Sequence, residues 1–168
     1  MGEWTINVLV ALAAATLLHA GIYKAVRPAE LRQALRELAP DLAIGIGNSA
    51  VRFAAGLEIL IAFLWLVPTG PHLAPTGAAL LGLCFAALGV AGRVRASTAA
   101  CGCLGFGTGK ALGLTNVVFG ACLVAVALLS FAGSVTPSPT VTALFLLLLC
   151  IFANRAAAYR LPARKGVA

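Results

Sequence analysis

LGLTNVVFGACLVAVALLSF, residues Leu112 to Phe131, runs without an Asp, Glu, Lys or Arg. The hydrocarbon core of a bilayer is about 30 Å thick, so about 20 apolar residues in an α-helix cross it. The stretch predicts a membrane-spanning helix. Working outward, Thr5 to Tyr23, Pro75 to Gly92 and Thr140 to Asn154 qualify in the same way, and Ser49 to Val67 qualifies by length and apolar content although it carries Arg52 and Glu58. Pro75, Gly77 and Gly82 make their span the weakest, although breakers are tolerated where neighbouring helices satisfy the backbone. Residues Leu146 to Leu149 make the last span the least ambiguous. Composition agrees, with 61% hydrophobic and 10% charged residues, against about 25% charged in an ordinary soluble domain. The expected fold is an all-α integral membrane protein, a single domain over residues 1–168 built as a compact bundle of about five transmembrane helices.

The first span does not read as a cleaved signal. Such signals carry basic residues before the apolar run, whereas Glu3 precedes it and Lys24 and Arg27 follow it. Lys24, Arg27, Arg32 and Arg36 follow the first span; Arg93, Arg95 and Lys110 follow the third; Arg155, Arg160, Arg164 and Lys165 lie in the tail. The remaining loops carry no cation, so the positive-inside rule puts the N-terminus outside and residues 93–111 on the cytoplasmic side. The formal charge of +7 belongs to this bias, which fits topology and anionic lipid better than nucleic acid.

Between the first two spans, PAELRQALRELAP reads as a short helix over about residues 28–39, with Pro28 in its first turn. Leu31, Leu35 and Leu38 share one side, and Glu30, Arg32, Arg36 and Glu37 fill much of the rest, the pattern of an interfacial helix along the membrane surface. Gly82, Ala86 and Gly89 in the third span are small enough to pack helices within the bundle or between protomers.

The segment with the most pointed chemistry is CGCLGFGTG, from Cys101 to Gly109. A disulfide needs α-carbons roughly 4.4 to 6.8 Å apart, and Gly102, lacking a β-carbon, lets the chain bend enough to bring Cys101 and Cys103 together. Strained or exposed disulfides are the labile, exchanging ones. Arg93, Arg95, Lys110 and the nearby start of the fourth span favour the thiolate. A phosphate loop fails here, because Leu104 and Ala111 stand where glycine and Ser or Thr are required. Structural zinc fails for want of about four ligands at suitable spacing, so no metal is expected.

Cys84 and Cys122 lie at similar depths in the third and fourth spans, about 13 Å in, where they could form a relay dithiol. Packing as small apolar residues is the stronger reading. His19, Arg52, Asn116 and Asn154 fall near the cytoplasmic ends of their helices as one polar layer, with His19 and Tyr23 on a shared face. Glu58, about 15 Å into the second span, needs a proton or a cation there. Lys24 and Arg52 are the candidate partners, and an ion-paired or protonated Glu58 that fixes helix packing is expected.

HAGIYKAVRPAELRQALREL, a span carrying GLEIL, a further apolar span, CGCLG and a helix with Asn near its start together resemble the MauE/DoxX redox-associated membrane proteins. The resemblance runs from about Leu17 to Leu129. Lys24, Glu58, Cys101, Gly102, Cys103, Gly105 and Asn116 fall on its recurring positions; Leu104 stands where phenylalanine is common, and Thr115 where arginine often precedes the asparagine. The resemblance implies a four-helix DoxX-like core plus one helix in the bacterial plasma (inner) membrane, supporting thiol-disulfide metabolism. In MauE this means accessory work in the maturation of a disulfide-rich periplasmic enzyme. A looser likeness to quinone-linked disulfide generators is fold-level analogy and makes a quinone the candidate cofactor.

The expected function is a membrane thiol-disulfide oxidoreductase whose Cys101 and Cys103 exchange disulfides or relay electrons with a thioredoxin-like or other thiol protein, for the benefit of a redox enzyme client. The alternative is a non-catalytic assembly factor or subunit that holds such a partner in the membrane. A transporter ranks last, with one mid-membrane carboxylate and no inverted repeat.

Overall fold

The computed structural model of the protein describes residues 3–40, 46–67, 72–98, 112–132, 142, 144–148 and 151. The elements are all helical: α1 (Glu3–Val26), α2 (Pro28–Leu38), α3 (Asn48–Leu64), α4 (Leu73–Val94) and α5 (Leu114–Ala132). Residues 144–148 are helical as well. Among the described residues, three helices are long and apolar enough to cross a membrane: Trp4–Val26, Leu73–Val94 and Leu114–Ala132.

α1 runs past its expected end at Tyr23. Pro28 disfavours helical geometry in the residue before it, and Arg27, at φ −125° and ψ 63°, is where the helix stops. Lys24 is therefore not the loop cation that the charge count takes it to be; it sits in the last turn of α1. α3 is shorter than the span expected over Ser49 to Val67, because the chain leaves the helix at Trp65. Most of the span expected over Thr140 to Asn154 lies outside the described residues.

α4, expected to be the weakest span, is an unbroken helix of 22 residues. Pro75 stands in its first turn, where a backbone N–H has no intrahelical acceptor in any case. The glycines are contact points. A Cβ on Gly77 would come within 2.9 Å of Ile61 of α3, and one on Gly82 within 2.7 Å of the Gly120 carbonyl oxygen. Gly89 meets Gly113 and Val117 in the same manner. The small-residue stripe thus serves the α4/α5 seam inside the bundle, the most extensive helix pair in the fold.

α1 and α3 form the second large pair. They cross at Gly21, where a Cβ would lie 2.8 Å from Ile59 and 2.9 Å from the Ala55 carbonyl oxygen. The main core gathers Val10, Ala14, Leu17 and Leu18 of α1, Ile61 and Ala62 of α3, Phe85 of α4 and Leu123 of α5, with Phe145 from the helical residues that follow. A smaller core lies at one end, where Leu31, Ala34 and Leu38 of α2 pack with Val51 and Leu112. The apolar stripe of α2, expected to lie in the membrane surface, is spent on the bundle, and the helix caps the end where α1 and α4 finish and α3 and α5 begin.

Candidate functional site

Two charged side chains meet inside the α2 end of the bundle. Lys24 Nζ of α1 and Glu58 Oε1 of α3 are 2.5 Å apart, and their side chains are 2% and 5% exposed. Lys24 is stationed by the extension of α1, and Glu58 by the close crossing at Gly21, where the Glu58 Cβ is among the nearest atoms. Lys24 Nζ also stands 4.5 Å from the centre of the Phe85 ring on α4, a cation–π contact that contributes about 2 kcal/mol when desolvated. Phe85 in turn meets Phe119 of α5 edge-on, with ring centres 5.5 Å apart. One cation thus ties α1, α3, α4 and α5 together. Glu58 Oε2 is buried and accepts no hydrogen bond among the described residues.

Of the two cations considered for Glu58, the structure selects Lys24 and leaves Arg52 exposed on α3. Asn116 is buried at 5% exposure in the first turn of α5, while His19 is half-buried on α1. Asn154 lies outside the described residues, and Arg52 faces outward, so the expected polar layer is reduced to inward-facing groups. Tyr23, on the same face of α1 as His19, reaches towards α2. Its hydroxyl donates to Glu30 of α2, with oxygen distances of 3.1 Å and 2.9 Å, and the Arg27 guanidinium stands 5.7 Å over its ring.

Cys101, Gly102, Cys103, Gly105, Lys110 and Cys150 lie outside the described residues, but the two ends of the segment that carries the first five are described. α4 closes with a Schellman-type turn, in which Ser97 N–H donates to the Gly92 carbonyl at 3.0 Å and Ala96 takes a left-handed φ of 47°. Ser97 Oγ then donates to Glu37 Oε2 of α2 at 3.3 Å. A Cβ on Gly92 would lie 2.5 Å from the Leu112 Cβ, so the described ends of the segment adjoin beside α2.

Cys84 and Cys122 are free thiols exposed on the helix surfaces. Each lies two residues past a seam glycine, Gly82 or Gly120, and is therefore turned about 200° away from the α4/α5 contact. Similar depth does not make them neighbours across that seam. The contacts that sequence reasoning missed, Phe85 under Lys24 and Ser97 on Glu37, join positions far apart in the chain and carry no local signal. Among the described residues no cluster of His, Cys, Asp and Glu could hold a metal ion.

A model of the family described as methylamine utilisation protein MauE matches residues 2–133. No curated protein and no solved structure matches the chain.

Proposed function

The chain belongs to the MauE family, and on that premise we propose that it is a multi-pass membrane protein of methylamine utilisation that exchanges thiols and disulfides through Cys101 and Cys103. The reading has five spans, the fifth over Thr140 to Asn154, with the Cys-Gly-Cys segment on the cytoplasmic side. The exposed cations Arg27, Arg36, Arg52, Arg93 and Arg95 all belong to the α2 end, which supports this orientation.

The observation that carries the reading is Cys101-Gly102-Cys103 itself, between chain ends at Gly92 and Leu112 that touch. The Cys101 thiolate attacks a disulfide sulfur of a thioredoxin-like partner; that S–S bond breaks, the departing sulfur takes a proton, and a mixed disulfide joins the two proteins. Cys103 then gives up its proton and attacks the Cys101 sulfur. The partner leaves with two thiols, and a Cys101–Cys103 disulfide remains. Two electrons and two protons pass to the partner, and a second dithiol protein reverses the steps. Lys24, Glu58 and Asn116 act as internal support for this end of the bundle.

The test combines function with labelling. Cys101→Ser and Cys103→Ser should each fail to restore a deletion strain, and a membrane-impermeant maleimide should label the native pair only in inverted vesicles and only after reduction. Labelling in intact cells would overturn the orientation. Full activity with both cysteines replaced would sink thiol exchange and leave the chain as a non-catalytic assembly factor.

A further inference from the structure

Among the described residues, α1 and α5 leave between them an open groove of about 180 Å³. Its lining includes Ala13 and Thr16 of α1 and Phe119, Cys122, Leu123 and Val126 of α5. The Thr16 hydroxyl is engaged with its own helix, donating to the Leu12 carbonyl oxygen at 2.8 Å, so among the described residues the wall is hydrocarbon except for the Cys122 sulfur. An apolar cavity of about 150 Å³ stays dry and takes up benzene. A space with this lining is suited to hydrocarbon, not water.

Depth limits what can reach it. Thr16 lies about 15 Å from the Val26 end of α1, and Cys122 about 12 Å from the Leu114 end of α5. Both helices are long and apolar enough to cross a membrane, so the groove opens on the acyl region of one leaflet. On α1, Thr16 and Tyr23 are seven residues apart and share a face, and just past the helix end the Arg27 guanidinium stands over the Tyr23 ring. Arg27, with 55% of its side chain exposed and its guanidinium 3.5 Å from Glu30 Oε1 on one side, thus stands about 16 Å above the groove, close to half the thickness of a hydrocarbon core of about 30 Å. A guanidinium at that height matches the phosphate of a lipid whose chain descends along α1.

We propose that this groove binds one acyl chain of an anionic phospholipid whose phosphate is held by Arg27. The seated chain rests on Phe119, whose ring abuts Phe85 beneath Lys24, so the lipid braces the buried ion pair from the membrane side.

The test uses the full chain in nanodiscs of phosphatidylethanolamine and phosphatidylglycerol, with a phosphatidylglycerol carrying a photoactivatable diazirine in its acyl chain. Mass spectrometry should find adducts concentrated at Ala13, Phe119 and Cys122. Ala13→Phe fills the groove from α1, and Cys122→Phe fills it from the exposed surface of α5, where a larger side chain leaves the core intact. Both should remove the groove adducts while labelling at the lipid-facing Leu83 of α4 is unchanged, and Arg27→Gln should reduce them. Adducts as dense at Leu83 as in the groove, or indifference to both fillings, would overturn the site. Equal labelling by a phosphatidylcholine probe would overturn the anionic headgroup, and crosslinks from the groove to residues 149–154 that exclude the probe would assign it to the chain itself.

Discussion

Lys24 and Glu58, 34 positions apart in the chain, meet nitrogen to oxygen at 2.5 Å inside the bundle. Removing one member of a buried pair strands the other, whereas replacing both with apolar groups removes the desolvation cost along with the attraction. Lys24→Met and Glu58→Leu should therefore each destabilise the protein by about 3 to 5 kcal/mol, and the double variant should recover most of the loss. Thermal unfolding in detergent, followed by circular dichroism, checks this. Additive losses in the double variant would show that the two side chains do not act as a pair.

Glycine substitutions should divide by position. Gly120→Ala drives a methyl to within about 2.6 Å of the Ala86 backbone nitrogen, and overpacking of this kind costs about 1 to 3 kcal/mol. Gly56, exposed on α3 with nothing within 4 Å of an added Cβ, should gain about 0.5 to 1 kcal/mol on replacement by alanine. The same unfolding measurement separates them, and an equal response would mean that α4 and α5 do not close on their glycines.

Much of this fold is legible as charge-free runs of membrane length, because lipid imposes a composition that water does not. The misreadings share one cause, that the partner which gives a residue its place lies on another helix; a hydropathy count, for one, ends the first span at its first cation. Lys24 terminates the first span by that rule, yet its charge is taken up by a carboxylate from another helix, which no local pattern announces. The glycines of α4 read as breakers for the same reason, since their use depends on Gly120 and Leu112 lying opposite. Glu58 was legible as a buried carboxylate in need of a cation, while Phe85, an ordinary apolar residue in its own helix, was not legible as the ring beneath Lys24.

Ala96 holds a left-handed φ of 47° at the end of α4, a position that helices usually give to glycine. An L-residue there costs about 1 to 2 kcal/mol. Ala96→Gly should recover about 1 kcal/mol of this and raise the unfolding temperature. A variant no more stable than the native chain would mean that the turn after Arg95 is not held in this form.

The last prediction concerns the thiols. Cys84 and Cys122 are exposed and turned away from the α4/α5 seam, so no disulfide between them is expected to take part in exchange. A chain with both replaced by serine should restore a deletion strain as well as the native protein, and its Cys101 and Cys103 should keep the native maleimide pattern, labelled only after reduction. Replacing Cys101 and Cys103 instead, with Cys84 and Cys122 intact, should abolish both readouts. Loss of exchange in the first variant, with the protein still folded and inserted, would restore the relay and require α4 and α5 to rotate about their seam. The glycine contacts at Gly82, Gly89 and Gly120 resist such a rotation because each admits no larger side chain.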